Sequence, residues 1–283
     1  MPRLFCHCWR LLVLPALFVI GCSHNSSDPS VDPSVAAILG GSSGSGGGTI
    51  GAPTYVELNV YQLTVPYGTI SRDDQFWKRI DETQLDMPTY DLLLKNGIRV
   101  GIGDNHDWQY FRTLIDRYQA VGKQATSTAT DGGYIDLPLH ENVDYQDIFY
   151  FNQKSELTGR TFVKCEDLFT VAFFASKRHD GETLIKVCPV IHGLNKRFEV
   201  TEMGNELEVD ASNPEKLYDL NLEALVPANH FLLIAPSQQA KFPDLIGSAF
   251  LDGNGAANRT ETLLILAPQE IKLRRLSDKT AAH

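Results

Sequence analysis

After Tyr118 the helical periodicity of the chain stops, and short apolar stretches separated by turn residues take over. Strands are expected over 123–129, 133–139, 146–152, 158–165, 168–176, 183–191, 197–201, 206–209, 217–225, 229–236 and 261–267. Asp131-Gly132-Gly133, Asp180-Gly181 and Gly204-Asn205 supply reversals between them, because these residue types reach positive φ at little cost. Many short strands joined by tight turns pair antiparallel, so this part is expected to be a β-rich antiparallel unit.

Ahead of it lies a mixed segment. Tyr55 to Val65 alternates, with Val56, Leu58 and Val60 on one face and Glu57, Asn59 and Tyr61 on the other, until Pro66 and Gly68 end it. Ser71, with Asp74 three residues on, reads as the N-cap of a helix that buries Phe76, Trp77 and Ile80. Pro88 opens a second helix through Lys95, closed by Asn96-Gly97. A short strand over 98–102 follows. Asp104 or Asn105 then caps a third helix carrying Trp108, Phe111, Leu114, Ile115 and Tyr118 at helical spacing. The expected fold class is therefore α+β: a small N-terminal mixed α/β unit over 53–120, then the β-rich antiparallel unit over 121–276, with 277–283 as a disordered tail.

The first residues carry an address. Met1 to Arg10 holds Arg3 and Arg10, Leu11 to Ile20 is apolar, and Gly21-Cys22 follows, the layout of a secretory signal over residues 1–21. The apolar run is too short to span ~30 Å of hydrocarbon as a mature helix. Val19-Ile20-Gly21-Cys22 resembles the bacterial lipobox, which implies cleavage between Gly21 and Cys22 and lipidation of the Cys22 thiol. The acyl chains that such lipoproteins carry exceed the two-signal threshold for stable anchoring. Ser23, rather than Asp, follows the cysteine, which by that resemblance points to the outer membrane more than the inner one.

Residues 22–52 form the lipidated cysteine and a linker rich in Ser, Gly, Asp and Pro, centred on the run from Gly40 to Gly48. Such composition cannot bury enough apolar surface to offset chain ordering, so a flexible tether of roughly 30 Å reach is expected. Gly40, Ser42 and Gly44 match G-x-S-x-G formally, but that motif works on a strand-to-helix turn, and no such turn is expected here. Net charge is −10 for the whole chain and about −12 once the leader, which has no acid, is removed. That balance excludes nucleic acid as a partner and a polybasic grip on anionic lipid. The expected partners are a membrane through the N-terminal lipid, and other envelope proteins or further copies of the chain.

Motifs of catalysis are missing. His106, His140, His179, His192 and His230 are scattered; Asp104, His106 and Asp107 lie close together and His140 adjoins Glu141, but neither group has metal-ligand spacing. Gly101-Ile102-Gly103 is a fragment of a nucleotide fingerprint and no more. Asp144, Asp147, Glu166 and Asp167 read as acids of turns. No cofactor or metal is expected, and the chain reads as a non-enzyme. Cys165 and Cys188 are the cysteines of the body. In a simple meander with turns at Glu166-Asp167 and Asp180-Gly181, Cys188 faces Phe173 and Phe173 faces Arg160. Cys165 then lies about 17 Å from that level, which favours two free buried thiols over a bridge. Tyr55, Tyr61, Tyr67, Trp77, Tyr90, Trp108, Tyr110 and Phe111 gather in the N-terminal segment, as a small core and its rim or as a sugar-stacking face.

The last third resembles the C-terminal part of the secretins, ring-forming outer-membrane proteins of type II and III secretion. The likeness covers about 158–271. It rests on the pair Leu168–Phe174 and Thr183–Ile191 joined by an Asp-Gly turn, on Leu220–Pro236 passing through Val226-Pro227-Ala228-Asn229, and on Phe242–Phe250 followed by Arg259–Pro268. The resemblance implies an envelope structural, assembly or protein-secretion component. Two other functions remain open: a ligand-binding lipoprotein and an extracytoplasmic hydrolase. A membrane barrel needs strands of about 9–11 residues with an unbroken apolar stripe. The expected strands are mostly shorter and interrupted by charge, so a soluble β-domain is expected.

Overall fold

The computed structural model describes residues 54–118, 123–129, 132–176, 181–200, 206–239, 242, 244–254 and 259–272. In chain order the elements are β1 (Thr54–Pro66), α1 (Asp74–Trp77), β2 (Ile80–Asp81), α2 (Met87–Lys95), β3 (Ile98–Asp104) and α3 (Trp108–Tyr118). There follow β4 (Lys123–Ala129), β5 (Gly133–Phe151), β6 (Leu157–Ala175), β7 (Thr183–Val200), β8 (Glu206–Lys216) and β9 (Leu222–Val226). The chain closes with β10 (His230–Pro236), α4 (Ile246–Leu251), β11 (Asp252–Asn254) and β12 (Arg259–Lys272).

The first sheet has the order β2-β3-β10-β12-β1-β4, every neighbour antiparallel, with β11 also paired to β12. Its central strands β10 and β12 bury both faces, as their near-continuous apolar runs require, whereas the edge strand β4 is exposed or half-buried throughout. Val56, Leu58, Leu232, Ile234, Leu264 and Leu266 point to one side, into a core shared with the second sheet and α2. Leu63, Val65, Leu233 and Ile265 point to the other, where Phe76, Trp77, Phe111 and Leu114 of α1 and α3 cover them.

This arrangement overturns the expected α+β division. The fold is mostly β, two antiparallel sheets, and no separate N-terminal mixed α/β unit forms. β1 pairs with β12 from Thr54↔Lys272 to Pro66↔Thr260, and β3 pairs with β10. The physical reason is that β1 presents apolar side chains on two faces and β3 buries Ile98, Val100 and Ile102 in the core shared with the second sheet, more apolar surface than the short local helices cover. Local periodicity identifies a strand but not its partner. Two smaller corrections concern caps. Asp73, not Ser71, caps α1 by accepting from Gln75 N at 2.9 Å, while Ser71 N donates to the buried Glu261 carboxylate at 3.1 Å. The helix from Pro88 starts one residue earlier, capped by Asp86, which accepts from Thr89 N at 3.0 Å.

The second sheet has the order β5-β6-β7-β8, with β9 also on β7. Stretches expected as separate short strands are here continuous: β5 and β6 run 19 residues each and β7 runs 18. The expected turn at Glu166-Asp167 does not exist. Asn142 and Lys164 adopt positive φ (56° and 49°) next to the facing pair Val143↔Cys165, and the register shifts twice between Pro138 and Val143. Bulges of this kind bend a strand without reversing it. The bend is large. Glu215 pairs with Ile191, which pairs with Asp167, yet its partner is Arg160, seven residues further along β6 and about 23 Å away on a straight strand. Their charged groups meet at 2.5 Å. The far half of the β5–β6 hairpin therefore folds back, and Ile148 and Phe162 pack into the shared core.

Asn96 stitches the hairpin end to the first sheet. Its side chain accepts from Phe151 N at 2.7 Å and donates to Phe151 O at 2.9 Å, and its own carbonyl accepts from Gly247 N at 2.9 Å.

Candidate functional site

Gly21 and Cys22, the expected cleavage and lipidation site, lie outside the described residues, as does His179. Among the described residues no helix is long and apolar enough to cross a membrane. The length expected of the strands was wrong, however: β5, β6 and β7 exceed the span a bilayer requires. Asp144, Asp147, Arg160 and Lys164 still interrupt the corner hairpin with charge.

The structure distributes the histidines among separate acids. His140 does not act with Glu141, which pairs with Lys123; its Nδ1 lies 3.7 Å from the Asp167 carboxylate instead. Asp104 accepts from His106 N at 2.9 Å and Asp107 pairs with Arg79, so the expected acidic neighbours are spent on local structure. Among the described residues no group of three or more His, Cys, Asp or Glu side chains could hold a metal.

Asp167, taken as a turn residue, is wholly buried. Gln146 Nε2 donates to its Oδ1 at 2.6 Å and lies 3.1 Å from Cys165 Sγ. Burial raises the Cys165 thiol above its ordinary value and pushes Cys188 up to about 11, which holds both as protonated thiols rather than nucleophiles. Both are free. The register differs from the expected one: Cys188 faces Thr170, and Phe173 lies between Gly133 and Ile185. Cys165 remains five residues from that level, about 17 Å along β6, beyond the reach of a bridge.

This corner is also where the sheet divides. β6 and β7 pair from Ala175↔Thr183 to Cys165↔Gly193 and then part. Residues 157–164 stay paired with β5 alone, and 194–200 with β8 alone, so two edges face an unfilled fork among the described residues. The outer edge of β5 carries one parallel bridge, Phe149↔Leu245. Exposed apolar side chains concentrate on this hairpin: Tyr145 and Val163, directly opposite each other, are 62% and 57% exposed, and Leu157 is 51% exposed. Unpaired edges bearing apolar side chains are templates for another strand.

A second feature is a groove of about 810 Å³ beside α3, within the range of small-molecule sites. The rims of β1, β4 and β12 and the Pro227–His230 turn complete it. Tyr61 and Trp108, both half-buried, form an aromatic wall with ring centroids 6.0 Å apart, and Phe231 backs Trp108 at 5.2 Å. His230 Nδ1 lies 2.9 Å from Ala228 O, a contact in which the neutral ring donates from Nδ1 and keeps Nε2 as an acceptor. The sequence singled out Tyr61, Trp108 and His230 but gave no sign that they meet, since they come from β1, α3 and β10. None of the other expected aromatics lines the groove. Trp77 and Phe111 are core, and Trp77 Nε1 donates to Ile70 O at 3.0 Å.

No family model matches the sequence, and none of the curated proteins matches it. Among solved structures the chain is similar to the InvG secretin domain β-barrel from the Salmonella SPI-1 injectisome NC-base, at 11% identity and a TM-score of 0.17. The alignment covers 81% of this chain, and the chain spans 65% of the length of that one. A match at that score does not establish a common fold.

Proposed function

We propose that this chain is a cell-envelope lipoprotein, anchored through lipid on Cys22 at the outer membrane, that serves as a self-assembling structural or secretion-related component. The observation that carries the reading is the fork. Residues 157–164 offer a strand edge paired on one side only among the described residues, next to the exposed apolar pair Tyr145 and Val163, and such an edge is a template for a further strand. A second copy can fill that edge by strand addition and bury those side chains. The order of motifs across 158–271, which resembles the secretins, supports the same reading.

The test is oligomeric state. The protein, extracted in mild detergent, is expected to run as a heat-labile oligomer by light scattering, unboiled gel and electron microscopy. Val163→Lys, at an exposed position, should return it to monomer without unfolding it. A wild-type protein that stays a monodisperse monomer at micromolar concentration overturns the proposal, as does a Val163→Lys variant that assembles normally.

A further inference from the structure

We infer that the groove beside α3 is a binding site for a neutral oligosaccharide. Five of its polar side chains have no partner among the described residues. Arg112 and Asp116 stand one turn apart on α3 and make no ion pair, with each other or elsewhere among the described residues. Gln124 of β4, Asn229 of the turn and Gln269 of β12 likewise have no side-chain hydrogen bond among the described residues. By contrast Asn59, on the same wall, is held by Thr126 at 2.9 Å.

The chemistry of the lining selects the ligand. One guanidinium and one carboxylate cancel, so neither an anion nor a cation is favoured. A carboxamide donates and accepts in one plane, which suits a hydroxyl that must do both. Gln124, Asn229 and Gln269 supply three such groups, and the acceptor nitrogen of His230 adds a fourth contact. The half-buried Trp108 ring gives a flat apolar face for the C–H side of a pyranose, Tyr61 stands beside it tilted by 59°, and Phe231 packs against the Trp108 ring at 5.2 Å. A ligand with a hydroxylated rim, an apolar face and no charge is a sugar. The groove is not enclosed and its volume is about 810 Å³, room for more than one sugar ring, so a short chain of sugars fits it. This site does not depend on the fork, and either reading can fail without the other.

Titration calorimetry of the full-length protein, in a detergent without a sugar headgroup, is the test. The probes are cellohexaose, maltohexaose and chitohexaose, with hexagalacturonate as the charged control. At least one neutral hexasaccharide is expected to bind and to shift tryptophan emission, because Trp108 is half-buried in the groove while Trp77 is buried in the core. Trp108→Ala should lower affinity by about tenfold or more. Arg112→Ala and Gln124→Ala alter exposed side chains, so they should weaken binding severalfold with the melting temperature unchanged. The inference is overturned if no neutral probe binds at millimolar concentration, if only the galacturonate binds, or if all three variants bind as the wild type does.

Discussion

Gly247→Ala should be among the most damaging single-methyl changes in this fold. A Cβ at Gly247 would lie 2.2 Å from the carbonyl carbon of Gly97, 2.3 Å from its oxygen and 2.6 Å from the oxygen of Asn96. Those atoms are main chain and cannot swing aside. Gly97 O accepts from Ser237 N at 2.8 Å, and Asn96 is locked to Phe151, so the turn after α2 is held from two directions. Overpacking ordinarily costs about 1–3 kcal/mol. With both segments fixed, about 3 kcal/mol is expected, and parting them also weakens the Gly247 N–H to Asn96 O bond, worth about 1 kcal/mol. For a body of this size a loss of about 3–4 kcal/mol lowers the melting temperature by roughly 6–16 °C. Gly253→Ala is the control. Its Cβ would lie 2.3 Å from Thr260 Oγ1, with the next atom at 3.7 Å, and a hydroxyl can rotate away, so less than about 1 kcal/mol is expected. Thermal and urea unfolding followed by circular dichroism measures both. If Gly247→Ala lies within about 1 kcal/mol of wild type, or Gly253→Ala is equally harmful, the steric reasoning is wrong.

Cys22→Ser should move the protein from the membrane to the soluble fraction on fractionation. If the variant still sediments with membranes, the body has a membrane-binding surface of its own. Alkylation under denaturing conditions without reductant should label both Cys165 and Cys188, and labelling of the native protein should be slow at neutral pH because burial keeps Cys188 protonated up to about 11. A peptide pair joined through these two residues would show that the strand register is wrong.

Elements set by local sequence were legible, and those set by distant partners were not. The alternation of Tyr55 to Val65 is β1, and Pro88 with Asn96-Gly97 brackets α2, because cap, proline and period act within one turn. Pairing β1 with β12 depends on two apolar faces meeting across the whole chain, for which one sequence carries no local sign. Lys164 carries no turn signature and Asn142 a lone one, yet their positive φ bends the hairpin that strands of six to nine residues had hidden. The separation of Cys165 from Cys188 came out right on a register that was not. Both geometries leave five residues between Cys165 and the level of Cys188, once across an imagined turn and once along the real β6. Asp167 was misread for the same reason. Without a turn at Glu166-Asp167 it falls in mid-strand, buried, and Gln146 on β5 satisfies one of its oxygens.

The central place of β12 bears on both proposals. It lies between β10 and β1, so the first sheet closes only when residues from the two ends of the folded body have met. Its Gln269 then stands on the groove beside Trp108 and His230, which explains why a site made of ordinary surface residues leaves no motif behind. β7 fixes where this site stands relative to the fork. Thr183, at its first position, lines the groove, and Gly193 makes its last pair with β6. Ten residues of strand separate them, about 33 Å. A strand added at the fork therefore leaves the groove open, and oligosaccharide binding need not compete with assembly.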